Sequence, residues 1–217
     1  MASLGQALGM QQRSASPNDR PVVAWGWAGN ALEGVSGDLH AVVPFDGGAL
    51  VVLIDGLGHG PEAAAAALAA IPILEAHASE PVLALVQRCH EGLRKTRGAA
   101  MSLASFSARN AVITWAGVGN VDGALLRATE TPGQTDEALV LYGGVVGYRL
   151  PTLHAQTLPV ARGDTLVMAT DGIRSGFTTG LAITHDPQEI AESVLARFAK
   201  GSDDAHVVVA RYLGSGS

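Results

Sequence analysis

The chain has 217 residues, with 14 basic against 20 acidic side chains, and a formal charge of −6. That balance argues against a broad electrostatic footprint on nucleic acid and leaves room only for a local basic groove. Hydrophobic residues make up 47% and aromatics only 5%, so one domain with an aliphatic core is expected; the single cysteine, Cys89, excludes an internal disulfide and a cysteine-rich zinc site.

Residues 1–20 lack a hydrophobic signal core and read as a flexible arm ahead of a single domain over 21–213. Strands are predicted over 22–28, 39–45 and 49–54, with Asp46-Gly47-Gly48 as the hairpin turn between the last two. Pro61 suits the first turn of a helix over 61–78. Its alanine run is broken by Pro72 and Glu75, which fits a packed helix and not a membrane span. A second helix over 81–96 aligns Cys89 with Val82, Leu85, Val86 and Leu93 as a core stripe.

A strand-rich stretch follows. Strands are predicted over 101–108 and 111–116, around the turn Arg109-Asn110, then over 121–128, 139–142, 152–158 and 165–169. Thr131-Pro132-Gly133-Gln134 marks a loop. An amphipathic helix over 188–200, a strand over 207–212 and a flexible tail over 214–217 complete the chain. Two groups of strands around central helices, with one late helix, indicate an α+β or layered α/β protein.

The most telling stretch is Asp55-Gly56-Leu57-Gly58-His59-Gly60, at the end of the apolar run 49–54. A carboxylate at the tip of a buried strand needs a cation or strong donor beside it, because an unpaired buried charge is costly. Glycines there permit a tight bend and close approach of a ligand to the main chain. Read alone, the stretch is either such a site or an ordinary βα loop with a turn-favouring aspartate. A second strand ends in Asp171-Gly172, Asp203-Asp204 precedes the last strand, and Asp38 precedes the second. Hard cations such as Mg²⁺ and Mn²⁺ take oxygen ligands of this kind.

In this order, Ser36-Gly37-Asp38, the Asp55 to Gly60 motif, Ala169-Thr170-Asp171-Gly172-Ile173 and Ser202-Asp203-Asp204-Ala205 resemble the metal-dependent serine/threonine protein phosphatases, the PPM or PP2C family. The likeness spans roughly residues 22–212. The D-G-x-G-x-G form, with Val145-Val146-Gly147-Tyr148 and the short chain, is most similar to the bacterial stress- and sporulation-regulator branch and, within it, to stand-alone stressosome phosphatases. The resemblance implies two central antiparallel sheets flanked by helices, in four αββα layers. It implies two Mn²⁺ or Mg²⁺ ions held by Asp55, the Gly56 carbonyl, Asp171 and Asp203, with Asp38 assisting. Gly172 would serve a tight turn and Asp204 would stand behind the ligands.

The implied reaction is hydrolysis of phosphoserine or phosphothreonine by a metal-activated bridging water. The implied partners are phosphorylated regulatory proteins of a stressosome or partner-switching system. With no nucleic acid and no membrane involved, the expectation is a cytoplasmic monomer. His59 either orients a ligand or donates a proton, or else caps the helix start. An arginine near the first strand holds the substrate phosphate in many eukaryotic relatives. Arg13 and Arg20 precede that strand here outside any matching motif, so the role is not carried over.

Other chemistries find little support. Position 38 is Asp, so residues 34–38 do not form G-x-S-x-G. No P-loop is present, the histidines lack metal-ligand spacing, and Gly117-Val118-Gly119-Asn120 is a lone turn better suited to structural duty. Two alternatives remain open on the same site: a non-catalytic phosphoprotein-binding module, and a hydrolase of small phosphoesters.

Overall fold

The computed structural model describes residues 21–32, 34–129 and 135–214. The predicted arm over 1–20, the loop at 131–134 and residues 215–217 of the tail lie outside the described residues.

The central strands are unbroken apolar runs because both of their faces are buried. In β3 (Gly48–Gly56), Leu50, Val52 and Ile54 turn to one core while Ala49, Val51 and Leu53 turn to another. The strand lies between β2 (Asp38–Phe45) and β4 (Ala99–Ser107), and β5 (Val112–Val118) pairs beyond β4. In the second sheet β11 (Ala205–Tyr212) sits between β1 (Val23–Asn30) and β10 (Thr165–Ala169), with β6 (Asp122–Leu126) beyond β10. Here Val208 and Ala210 face the first sheet, and Val207 and Val209 face outward.

Helices cover both outer faces. α1 (Pro61–His77) and α2 (Val82–Gly92) pack on the first sheet, and α3 (Pro187–Phe198) packs on the second. The result is the expected four-layer αββα sandwich, with an aliphatic core between each pair of layers. Each fully buried Leu, Val or Ile contributes roughly 1.5–3 kcal/mol. The alanines of α1 (Ala63, Ala66, Ala67 and Ala70) are buried, which lets the helix lie close on the sheet. A Cβ added to Gly56 would stand 2.1 Å from the Ala63 carbonyl oxygen, so glycine is required at that contact. Cys89 is buried in the α2 core, and burial pushes its thiol up to about 12, leaving no thiolate nucleophile near neutral pH. Among the described residues no helix is long and apolar enough to cross a membrane.

Three predicted elements differ from those observed. α2 ends at Gly92, not near 96: the last helical bond runs from Leu93 N–H to the Cys89 carbonyl, and the Leu93 carbonyl is then taken three residues on by the N–H and hydroxyl of Thr96, turning the chain away. The strand predicted over 139–142 is confined to its last two residues, and a second short strand just before it lies in the other sheet. β7 (Glu137–Ala138) pairs with β6, whereas β8 (Leu141–Tyr142) pairs in parallel with β5. Residues 139 and 140 carry the chain across the sandwich between them, and the β5–β8 pair is the one parallel ladder in these sheets among the described residues. The strand predicted over 152–158 is confined to β9 (Gln156–Pro159). There it pairs antiparallel with β5, pinned by the Thr114–Thr157 hydroxyl pair and by Trp115 Nε1 donating to Gln156.

Candidate metal centre

Towards one end of the sandwich, the layer between the sheets changes character along each strand. Valines give way to imidazoles and then to carboxylates. On β11 the inward residue before Val208 is His206, and before that comes Asp204 at the strand's start. On β2 the inward series runs Val42, His40, Asp38. His40 Nδ1 and His206 Nε2 are 2.8 Å apart and join the two sheets, while the Trp27 ring stacks on His206 at 5.1 Å. Burial pushes His40 down to about 4, and burial together with His40 pushes His206 down to about 3, so the pair stays neutral. It closes the hydrophobic layer without adding positive charge.

The carboxylates stand just beyond. Asp38 and Asp55 are direct partners in the β2–β3 ladder, a like-charge pair that destabilises a sheet unless something offsets it. Asp38 is buried and its Oδ2 accepts from the Thr170 hydroxyl at 2.8 Å. Thr170 in turn accepts the His206 N–H at 2.9 Å, so one hydroxyl ties the ends of three strands together. Asp171 follows immediately, half-buried, with its Oδ2 receiving the Asn120 amide at 2.6 Å. Asp203 is exposed, whereas Asp204 is buried and fully engaged. The two oxygens of Asp204 accept the backbone N–H groups of Leu32 and Gly37 at 2.8 and 2.7 Å. It anchors the loop that delivers Asp38. Gly172 lies against this turn, where an added Cβ would sit 1.9 Å from the Asp204 carbonyl oxygen. His59 stands exposed in the loop between β3 and α1.

The charges repel one another. Burial, followed by the charge of Asp55, pushes the Asp38 carboxyl up to about 8. Burial, followed by Asp171 and Asp203, pushes Asp55 up to about 7. Both groups ionise near 3.8 without these neighbours. The folded chain therefore holds protons that the unfolded chain releases above about pH 4. Their stabilising contribution is complete below that pH and is lost as pH rises through about 7 and 8. Protein stripped of divalent metal is thus expected to melt at progressively lower temperature from pH 5 to 8.5. Thermal scans in chelator check this, and saturating Mn²⁺ should flatten the slope.

The donor set suits a hard cation. It offers carboxylate oxygens from Asp38, Asp55, Asp171 and Asp203, with the Gly56 carbonyl beside them, and no sulfur or charged imidazole. Among the described residues no three acidic, histidine or cysteine side chains come close enough together to hold a metal ion by themselves. Mg²⁺ and Mn²⁺ use one or two carboxylates and keep several waters.

Sequence reasoning missed Asn120 and Thr170 as parts of this centre. Asn120 had been read as a structural turn, yet its amide orients Asp171 from 51 residues away. The His40–His206 pair, 166 residues apart, also carried no local signal.

The chain is similar to known proteins in sequence and in fold. The family model for Stage II sporulation protein E (SpoIIE) matches residues 46–213. The phosphoserine phosphatase RsbX of Bacillus subtilis (strain 168) is 26% identical over 175 residues, covering 78% of this chain and 84% of that protein. A solved chain from work on the bacterial stressosome, as a modular system adapted to control secondary messenger signalling, is 29% identical. It has a TM-score of 0.78 and covers 87% of this chain and 99% of its own. The crystal structure of RsbX in complex with magnesium has a TM-score of 0.74 at 21% identity, covering 89% and 97% of the two chains.

Proposed function

This chain belongs to the Stage II sporulation protein E (SpoIIE) family, and we propose that it is a metal-dependent phosphatase of phosphoserine and phosphothreonine in stress-regulatory proteins. The observation that carries the reading is the in-register pair Asp38–Asp55, whose affinity for protons is raised by burial and then by the charges of the two on each other and of Asp171, Asp203 and Asp204. The part of that shift that comes from neighbouring carboxylates is a field that also attracts divalent cations.

In this reading Asp38, Asp55, Asp171, Asp203 and the Gly56 carbonyl hold one or two Mn²⁺ or Mg²⁺ ions. When bound, such ions acidify water and neutralise charge on phosphoryl oxygens. The remaining roles fall to the chain itself. Thr170 fixes the Asp38 carboxylate and Asn120 fixes that of Asp171. Asp204 holds the loop 32–37 in place, and Gly172 allows the turn behind Asp171 to close. His59, exposed at the mouth, supplies a proton to the departing seryl or threonyl oxygen.

A protein substrate is favoured over a free metabolite by the surroundings. Leu32, Val35 and Leu57 stand about half exposed on the two loops that border the carboxylates. Apolar side chains around an acidic centre suit a protein surface. RsbX is itself named a phosphoserine phosphatase, and the 29%-identical chain comes from stressosome work, so phosphorylated stressosome or partner-switching components are the proposed substrates. The enzyme would work as a cytoplasmic monomer through its domain at 21–213.

The test is phosphate release with Mn²⁺ or Mg²⁺ from a phosphorylated stressosome scaffold protein, beside a panel of phosphometabolites. Turnover of the phosphoprotein alone is the expected result. Turnover of metabolites alone would make the chain a small-molecule phosphoester hydrolase.

A further inference from the structure

The surface opens into a groove of about 470 Å³, whose walls include Asp122, Asp171, Arg174, Ser175, Phe177 and Lys200. Its two cations come from distant parts of the chain. Ile173 and Ala199 form an antiparallel bridge, with Arg174 N–H donating to Phe198 O and Lys200 N–H donating to Gly172 O, both at 2.9 Å. Side chains alternate across such a bridge. Ile173 turns into the core on one side, and Arg174 and Lys200 stand on the other. The Arg174 guanidinium is steadied by Nη2 donating to Ala199 O at 2.8 Å and Nε to Phe198 O at 3.4 Å, which leaves N–H groups to spare. Among the described residues, neither Arg174 nor Lys200 forms an ion pair.

Two neighbouring cations stand out in a chain of net charge −6. They share the groove with Asp122 and Asp171, yet among the described residues they form an ion pair with neither. The groove is also too large for a phosphoryl group alone. Its floor is apolar, with Ile173 and Phe177 buried beneath it, and Ser175 adds a hydroxyl at its wall. Such a mixture suits a short run of peptide.

We propose that this groove binds the substrate segment flanking the phosphorylated residue, and that Arg174 and Lys200 take a carboxylate side chain of that segment. The inference rests on the phosphatase reading and adds to it a preference for acidic flanking sequence. Arg174 offers a charge-assisted, two-pronged contact, and Lys200 adds a point charge. They would compensate for the missing arginine near the first strand by recognising the peptide and not the phosphoryl group.

The test compares the full chain with Lys200→Ala, Arg174→Ala and the double variant in saturating Mn²⁺. The substrates are two phosphoserine peptides, one flanked by Asp and Glu and one flanked by Ala, and p-nitrophenyl phosphate. The parent chain should prefer the acidic peptide by kcat/KM, mainly through KM. The double variant should lose roughly 10–100-fold on that peptide, as expected for two contacts to a charged group, and the preference should vanish. Lys200→Ala, which removes no side-chain hydrogen bond among the described residues, should give part of the loss even if Arg174→Ala disturbs the bridge. Arg174→Lys should restore part of the preference.

Equal losses on both peptides and on p-nitrophenyl phosphate would assign the cations to the phosphoryl group and overturn the proposal. A parent chain active on both peptides without preference would overturn it too. A parent chain that releases phosphate from none of the three would instead remove the phosphatase reading beneath it.

Discussion

Asp55→Asn is expected to abolish phosphate release while raising the melting temperature of the metal-free protein at pH 8. The two effects share one cause. Asp55 sits at the centre of the carboxylate cluster, directly across the ladder from Asp38 and within the field of Asp171, Asp203 and Asp204. Asparagine keeps the shape and removes the charge. Burial, the larger cause that pushes Asp38 up to about 8, remains, but the charge of Asp55, the next one, is gone, and the bare fold is relieved of that repulsion at a pH where both groups would otherwise ionise. Each kcal/mol regained raises the melting temperature by about 2–4 °C at this chain length. At pH 5, where Asp38 and Asp55 are already protonated, the gain should shrink.

The same substitution removes the carboxylate proposed to meet the cations most directly. Mn²⁺ should then stabilise the variant far less than the parent, because metal stabilises only in proportion to its binding. Calorimetric titration with Mn²⁺, thermal scans with and without chelator, and phosphate release complete the measurement. A variant that keeps near-parental turnover, or one that melts lower than the parent in chelator at pH 8, would remove Asp55 from the role assigned to it.

How much of this was legible beforehand follows from how local each signal is. β3, β10 and β11 were readable because strands buried on both faces become unbroken apolar runs. Asp55 and Asp171 were readable because each follows such a run and precedes a glycine that close packing demands. The division of 137–142 between two sheets was not, because a two-residue strand carries no period. Asn120 on Asp171, Thr170 on Asp38 and the His40–His206 contact were hidden for another reason. Each joins residues brought together only by the pairing of distant strands. Arg174 and Lys200 belong to the same class, since only the bridge between Ile173 and Ala199 places them on one wall. Asp203 and Asp204 were readable as a pair, and the resemblance already set Asp204 behind the ligands; its hold on the Leu32 and Gly37 N–H groups was not readable, because it spans most of the chain.

The largest loss of stability is expected at the opposite end of β10, from Asp164→Ala. Asp164, just before β10, is buried and saturated with donors. Its Oδ2 accepts Arg127 Nη1 at 2.9 Å and the Ala161 N–H at 3.0 Å, and its Oδ1 accepts the Ala128 N–H at 2.9 Å. Arg127 is nearly as enclosed, with its side chain 6% exposed, and also donates to the Pro159 carbonyl. Alanine would leave a guanidinium without its counter-charge and two backbone N–H groups without an acceptor. Breaking a buried pair from one side costs about 3–5 kcal/mol, which is roughly 6–20 °C in melting temperature at this length. Asp164→Asn keeps one carbonyl acceptor and should lose less. Asp171 lies seven positions along the chain from Asp164, roughly 23 Å if extended. Phosphate release per folded molecule should therefore be unchanged, while the temperature at which activity is lost falls with the melting point. Unfolding scans of the three proteins, each paired with initial rates at 20 to 25 °C, separate the two quantities. If Asp164→Ala melted within a degree or two of the parent, the pair would be a bystander, and the junction of β6, β9 and β10 would be held by its backbone ladder alone.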